Sequence, residues 1–509
     1  MLLVRASGCL QLEPKKSRGL VVAVSRLAWS LLFCAALALR LWAGIGRLDM
    51  IWPDEHFQTL EPAGWVIFGH GFKTWEWQVG YRSWVVPAFF MPVLWACKQL
   101  GVLGGTALIQ ACRAWLGALS CILFISLNQL MKRLGVRPWA RWVALAPCVF
   151  SSAMILWSVA TLSDVLGTLV LWLILPKYIE LSERKRFGTC LLAGMLAGVL
   201  FPIRTQLLLA AAGLFVASFL IIRSWTLFAA SCLGFVLFIL LSESLDWVTW
   251  GQPFHVLIRQ NRWALEAAEM SGISPWYDYF PRTWENLGSG IFVALGMVLI
   301  LALILRIKRR ERVRGLFHAQ DLYVYLPMLA MFIGHSLIGH KETRFLLPTF
   351  PGFYVLLACF LSRGFSNTLE SWNWNVSQRK SFAFVVVIGI VVLTFVSYRI
   401  TRAREVLYSG SDTSALESAI FEEHPSRREC VLLIEHPVTW TRGELILGGT
   451  EELVEKKLKE LTPDILGLCR YAIFPDSIRG EFEQRTRGNW VMLKVSQSGH
   501  CLFKRIAGS

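Results

Sequence analysis

Asp54 and Glu55 adjoin each other just past a long apolar run, in the stretch IWPDEHFQTLEP from Ile51 to Pro62, with a third carboxyl at Glu61. Carboxylates in that place fit a solvated loop start, where Asp is common. They also fit a general base that takes a proton from an attacking hydroxyl. Their company favours the base. Trp52, Pro53, His56 and Phe57 lead into GHGFKTWEWQVGYRS, Gly69 to Ser83. A solvated loop is rarely so aromatic, so this loop is expected to pack on a membrane surface and wall off a cavity.

A second set is basic. GHKETRFLLP, Gly339 to Pro348, joins two apolar runs, and Arg82, Arg113 and Arg204 are placed on the same predicted face as Lys341 and Arg344. A single long cation at an interface often only snorkels. As a group they suit the phosphate of a lipid carrier, which Arg binds in bidentate fashion and Lys as a point charge. The phosphate-binding candidates are Lys341, Arg344, Arg82, Arg204 and, when protonated, His340. Asp164, in ATLSDVLGTL, stands at the outer end of a span as an interfacial or a functional carboxyl. The segment 249–284, with Asn261, Gly272, Trp276 and Tyr277, is longer than a plain connection requires and reads as a cap or a lid over the same cavity.

The elements that must position these groups are membrane helices. The chain has 509 residues, 55% of them hydrophobic, with 23 Trp and 32 Phe, and a mean hydropathy of +0.50. That excludes an ordinary soluble domain and predicts a polytopic membrane protein. The formal charge of +16 is accounted for by basic loops on one side of a membrane, not by nucleic acid. Cysteines are scattered, without a C-x-x-C pair, and read as small buried hydrophobes. About eleven spans are expected, near 27–45, 110–130, 142–160, 162–180, 189–203, 205–222, 226–246, 288–306, 321–338, 345–362 and 382–398. The first reads as an anchor, because no small-residue cleavage site follows it. Segment 84–100, with Pro87 and Pro92, is expected to lie in the interface, since a crossing there would invert the Lys and Arg bias of every later loop.

This topology sets the N-terminus in the cytoplasm. It divides the chain into a cytoplasmic segment 1–26, a membrane domain 27–398 and a C-terminal domain 399–509. The first outer loop is 46–109 and the second 247–287. In the C-terminal domain CVLLIEHPVTW reads as a strand and TEELVEKKLKELTPDIL as a charged amphipathic helix, so a small α/β domain is expected. Its Cys430, Cys469 and Cys501 allow one disulfide with one thiol left over. No Walker A loop, D-x-D pair or dinucleotide-binding glycine motif occurs, which argues against a soluble nucleotide conjugate as donor.

The stretch PDEHFQTLEPAGWVIFGHGFKTWEWQVGYRS followed by Pro87, together with HKETRFLLP, resembles glycosyltransferase family 22. These are dolichyl-phosphate-mannose-dependent mannosyltransferases of the endoplasmic reticulum. FHVLIRQN and SGISPWYDYF echo a further family segment. The resemblance runs in pieces from about 46 to 362 and is nearest the members that build the GPI anchor precursor and N-glycans. Trp52 stands where many members carry His, which weakens any transfer of acceptor identity.

The resemblance implies an all-α multi-span GT-C helical bundle acting on the lumenal or periplasmic side. It implies an inverting transfer of mannose from a dolichyl- or polyprenyl-phosphate carrier to a glycan or glycolipid acceptor. Asp54 would be the catalytic base, and Glu55 would orient the acceptor or hold the loop. Lys341 and Arg344, then Arg82 and Arg204, would meet the charge on the departing phosphate. Trp75, Glu76, Trp77, Asp164, Asn261 and Tyr277 are the expected sugar contacts. No cofactor is required, and although some GT-C enzymes use a divalent metal, no motif here calls for one. The rival readings are a transporter of lipid-linked glycan or a silent scaffold; a transporter predicts mid-span charges and an internal repeat. Membership implies the endoplasmic reticulum membrane. The alternative is a bacterial inner membrane, with which the one sequon, at Asn375 in a predicted cytoplasmic loop, is compatible.

Overall fold

A computed structural model describes residues 14–46, 53–260, 262, 274–287, 292–293, 295–297, 299–300, 304, 317–371, 389 and 392, and, in the C-terminal region, 429–434, 451–456, 460–461, 469–486, 490–495 and 500–505. The helices of the first half are α1 (Pro14–Gly46), α2 (Glu61–Phe68), α3 (Trp75–Gln78), α4 (Val85–Gln99), α5 (Thr106–Ser120), α6 (Ile122–Arg133), α7 (Pro138–Phe150) and α8 (Ser152–Trp157). They continue as α9 (Ser163–Glu183), α10 (Phe187–Gly198), α11 (Leu200–Ile203), α12 (Leu208–Ile222), α13 (Trp225–Trp250), α14 (Tyr279–Leu287), α15 (Leu322–Leu337), α16 (Phe350–Ser371) and α17 (Arg479–Thr486).

Among the described residues, six helical stretches are long and apolar enough to cross a membrane: Trp29–Gly46, Thr106–Arg133, Ser163–Glu183, Thr205–Ile222, Trp225–Trp250 and Thr343–Gly364. The expected spans at 288–306 and 382–398 lie largely outside the described residues. The expected span 142–160 is broken. Pro147 interrupts the end of α7, and the extended backbone of Ser151 restarts the chain as α8, with the Ser151 hydroxyl accepting from the Met154 amide. A proline within the last turn removes a donor and a serine cap starts a new helix, so the run reads as two short pieces. Helix α4 has 15 residues. At 1.5 Å per residue it reaches about 22 Å, short of the roughly 30 Å of a hydrocarbon core.

Segment Thr343–Gly364 is the centre of the bundle, 94% buried, whereas α13 is 17% buried and turns Leu233, Leu237, Leu240 and Leu241 outward. Small residues let α13 reach α10. A β-carbon at Gly234 would overlap the Leu191 carbonyl, one at Gly194 would overlap the Ser231 carbonyl, and Ser231 Oγ donates to the Cys190 carbonyl at 3.1 Å. With lipid on both sides, such close backbone approach is what holds two helices together. Gly234→Leu is therefore expected to lower stability by about 1–3 kcal/mol, read as a fall in Tm in detergent.

The two ends of the bundle differ. Helix α9 carries Asp164 in its first turn and Glu180 near its last, where Arg133, Lys177 and Arg184 gather around Glu180 at 2.6–3.0 Å. Arg363, near the corresponding end of α16, is paired with Asp321 and donates to the Leu134 carbonyl at 2.9 Å. The basic loops thus share one end, and Asp164 marks the other, about 30 Å away along α9.

The C-terminal strands are β1 (Glu429–Ile434), β2 (Glu451–Lys456), β3 (Cys469–Pro475), β4 (Trp490–Val495) and β5 (His500–Arg505), in the order β2-β1-β3-β5-β4. β1 pairs in parallel with β2 and β3, and β5 is antiparallel to β3 and β4. Strand β2 corrects the first part of the helix expected over TEELVEKKLKELTPDIL, whose remainder lies largely outside the described residues. Its Glu and Lys residues favour a helix locally, but pairing along the whole length of β1 supplies a ladder that overrides a propensity of tenths of a kcal/mol per residue.

Candidate active site

Asp54 opens a buried π-helical turn, His56–Leu60, that continues into α2. π-Turns are uncommon and recur at functional sites. The turn is held from outside. Thr161 Oγ1 donates to the Glu55 carbonyl at 2.9 Å, and Thr59 Oγ1 donates to the Thr161 carbonyl at 2.8 Å. The first loop closes back on α2 through Glu61, whose carboxylate accepts the Phe72 amide at 2.6 Å. Gly71 makes that closure possible: its φ is +153° and a β-carbon there would strike the Glu61 carbonyl. The third carboxyl of the opening motif is thus a clasp.

Arg344 is the hub. It lies in the 3-10 segment Thr343–Thr349, which Trp172 of α9 fastens by donating from Nε1 to the Pro348 carbonyl at 2.8 Å. Its Nη1 is paired with Asp54 Oδ2, and its Nε lies 2.5 Å from Glu342 Oε2. Glu342 Oε1 in turn meets His340 Nε2 at 2.8 Å. Beside this chain Arg204 pairs with Asp164 at 2.8 Å and donates to Ser163 Oγ at 2.6 Å. Arg82 pairs with Glu76 at 2.7 Å and also feels the charge of Asp54. Asp54, Asp164, Arg82, Arg204, Glu342 and Arg344 therefore form one electrostatic cluster. Asp54 Oδ1 has no hydrogen-bond partner among the described residues, and Asp54 keeps a quarter of its side chain exposed.

Burial lowers Arg204. It lowers Arg82 too, but the Glu76 carboxylate outweighs it and the net direction is upward. Burial raises the Glu342 carboxyl, yet the His340 hydrogen bond and the Arg344 charge hold it at about 2. A carboxyl held below its usual 4.5 contributes stability that is complete above about pH 4.5 and is lost as pH falls towards 2. The Tm difference between the wild type and Glu342→Gln in detergent is therefore expected to be flat above about pH 4.5 and to shrink below it.

The expected site residues separate into those the fold gathers and those it does not. Asp54, Arg82, Arg204, Arg344 and Asp164 are gathered, and His340 joins through Glu342, which sequence reasoning passed over although it sits inside the HKETRF run. Of the two roles expected for Glu55, the contacts favour holding the loop over a catalytic one: its carboxylate pairs with Arg113 at 2.9 Å, both side chains 1% exposed. Arg113, placed with the phosphate-facing cations, is spent on Glu55. Lys341 is also turned away from the cluster: its ammonium donates to the Ser274 carbonyl at 3.2 Å and to the Ile338 carbonyl, over the Tyr279 ring. It fastens the segment before α14 to the turn.

Trp77 is 4% exposed, donates to the Phe57 carbonyl at 3.0 Å and packs on Trp84, so it offers no face to a sugar. Glu76 is occupied by Arg82 and by Gln58 Nε2 at 3.4 Å. Trp75 remains 49% exposed beside Tyr81, and Tyr277 is exposed beside Trp276. Asn261, Trp52 and Gly272 lie outside the described residues.

A cavity opens between this cluster and α13. Arg82, Ser163, Arg204 and Thr205 line it together with Ser242, Glu243 and Asp246 of α13, Gln58 and Thr59 of the π-turn, and Gln260. The loop after α13 is docked on the first loop by His255 Nε2 to the Val79 carbonyl at 3.1 Å and by Gln260 Nε2 to the Tyr81 carbonyl at 3.2 Å. Chemically, the site sets a partly open carboxylate against several buried guanidinium groups. Such a pairing can accept a proton at one point and neutralise an anion at another. Among the described residues no group of three or more His, Cys, Asp or Glu side chains is placed to hold a metal ion.

The chain is similar to known proteins along most of its length. A family model described as the Alg9-like mannosyltransferase family matches residues 31–426. GPI alpha-1,2-mannosyltransferase 3 of Bos taurus is 26% identical over 432 residues, covering 80% of this chain and 72% of the relative. Alpha-1,2-mannosyltransferase ALG9 of Homo sapiens is 26% identical over 315 residues, covering 58% of this chain and about half, 48%, of the relative. Among solved structures, ArnT from Cupriavidus metallidurans bound to undecaprenyl phosphate superimposes with a TM-score of 0.64 at 12% identity, over 94% of this chain and 98% of that one. That likeness is one of fold.

Proposed function

The chain belongs to the Alg9-like mannosyltransferase family, and so is a glycosyltransferase of the GT-C fold and an integral membrane protein; from that premise we propose that it moves mannose from a dolichyl- or polyprenyl-phosphate carrier to a hydroxyl of a glycan or glycolipid acceptor. The reaction takes place on the outer or lumenal face, in the endoplasmic reticulum membrane. Residues 27–398 are its catalytic domain and 399–509 a lumenal appendage.

One observation carries this reading: Asp54 reaches Arg344, 290 residues away, and the pair stands among Arg82, Arg204 and Glu342. In the proposed step Asp54 takes the proton of the acceptor hydroxyl. The acceptor oxygen bonds to the anomeric carbon, the carbon–oxygen bond to the phosphate breaks, and the electron pair leaves on the lipid phosphate. Attack opposite a β-linked leaving group makes an α-linkage, as a single displacement must. Arg344, already set against Asp54 and Glu342, places its charge beside the base, where the phosphate of the donor would lie. Arg204 and Arg82 add charge where it develops. The lipid phosphate is already a good leaving group, so the step asks for neither an acid nor a metal.

The test is transfer by the protein reconstituted in liposomes with labelled dolichyl-phosphate-mannose and a mannoside acceptor. An α-mannosidase-sensitive labelled product is expected. No product from this donor or from other polyprenyl-phosphate hexoses would favour the transporter or scaffold readings.

A further inference from the structure

Helix α13 is 26 residues of almost unbroken apolar sequence, and its only Asp, Glu, Lys or Arg residues, Glu243 and Asp246, are near its outer end. They are 6% and 5% exposed, while Trp247 and Val248 beside them face outward at 65% and 84%. Charge on a lipid-facing helix is costly and is kept where it faces a bundle interior or a watered cavity. Here both carboxylates line the cavity described above, with Ser242 on the same wall.

Neither carboxylate is neutralised by an Arg or Lys among the described residues. Glu243 Oε2 accepts the Phe254 amide at 2.6 Å, and Asp246 Oδ2 accepts the Val256 amide at 3.0 Å. The two carboxyl groups also lie within hydrogen-bond reach of each other, and as a pair they keep acceptor lone pairs beyond that contact. Arg204, Ser163 and Thr205 line the same cavity, as does Gln260, which accepts from Thr205 Oγ1 at 2.6 Å and donates to the Tyr81 carbonyl at 3.2 Å. Carboxylate, amide and hydroxyl groups converging on one small polar cavity form the donor and acceptor set that hexose hydroxyls satisfy. A bulk anion is disfavoured on this side by the carboxylates.

We propose that Glu243 and Asp246, with Ser242 and Gln260, form a hydroxyl-binding subsite that holds a hexose beside the phosphate-facing arginines. The proposal rests on the transferase reading and extends it to a wall of the cavity that neither the DE nor the HKETRF motif supplies. The hexose is either the sugar of the lipid-linked donor or the acceptor residue that is extended.

The experiment measures the ligand-induced rise in Tm of the full-length protein in detergent, with dolichyl-phosphate-mannose, with dolichyl phosphate lacking the sugar, and with a mannoside acceptor. Wild type is compared with Glu243→Gln and Asp246→Asn. Both replacements keep a carbonyl oxygen for the Phe254 and Val256 amides, so the unliganded Tm is expected to stay unchanged. Apparent affinity for one sugar ligand should fall about tenfold or more, while the response to dolichyl phosphate is kept. Loss of the response to dolichyl-phosphate-mannose assigns the donor sugar, and loss of the response to the mannoside assigns the acceptor. Equal responses in variants and wild type would overturn the subsite. So would a fall in unliganded Tm with sugar affinities intact, which would leave the carboxylates as loop anchors only. These readouts need no turnover, so failure of the transferase assay and failure of the subsite remain separate results.

Discussion

Asp54→Asn is expected to abolish mannosyl transfer, by about 10²–10⁴-fold in kcat, with expression and Tm close to wild type. The replacement keeps the shape of the side chain and an oxygen for the Arg344 guanidinium, so the hub is preserved. What it removes is the ability to take up a proton. The open Oδ1 is the atom that would receive it, because Oδ2 is occupied by Arg344. The assay is initial rate in the reconstituted system, with donor KM measured alongside. A base predicts a loss in kcat with donor KM nearly unchanged. A loss confined to KM would make Asp54 a part of the donor site only, and an active variant would remove it from the chemistry.

Glu55→Ala is expected to cost about 3–5 kcal/mol of stability, because it leaves the buried Arg113 guanidinium without the carboxylate that balances its charge. The two side chains are each 1% exposed, so bulk solvent does not screen the stranded charge. Arg113→Ala should cost a similar amount by stranding Glu55. The double variant Glu55→Leu with Arg113→Met, which removes both charges, is expected to recover most of the loss, since replacing a buried pair by apolar groups is often nearly neutral. Chemical unfolding of wild type, Glu55→Leu, Arg113→Met and the double variant in detergent closes the double-mutant cycle that checks this. The adjacent carboxyls thus predict opposite phenotypes: loss of rate without loss of fold at Asp54, and loss of fold at Glu55. Equal Tm values for wild type and Glu55→Ala would refute the structural role given to Glu55.

Much of the membrane architecture was legible because it is written in local composition. Long apolar runs name the central spans, and the split between Arg133, Lys177 and Arg184 at one end and Asp164 at the other follows the Lys and Arg bias. The short α4 was legible from its prolines and flanking cations. Less was legible where a partner is distant. The β2 segment carries a helical pattern of Glu and Lys, and only its pairing with β1 makes it a strand. Lys341 and Arg344 read as equivalent cations three residues apart, yet the turn sends one to backbone carbonyls and the other to Asp54. Trp77 read as a stacking platform until Phe57, Trp84 and Trp250 closed around it. Glu243 and Asp246 drew no attention, because two carboxyls in an apolar helix have no local signature until a cavity is seen beside them.

By itself the sequence determined the class of molecule, the membrane-spanning character and the two short motifs that supply Asp54, Glu342 and Arg344 to the candidate site. Residue types and near-neighbour spacing carry that information, since hydropathy and helix periodicity are properties of a segment. The tertiary structure alone decided which charged group meets which. Asp54 reaches Arg344 across 290 residues, Glu55 reaches Arg113 across 58, and Asp164 meets Arg204 through the packing of α9 against the break before α12. Pairing over such separations is set by how helices pack, and burial then gives each pair its weight: the same carboxyl is a loop anchor when enclosed with a cation and a candidate base when one oxygen is left open.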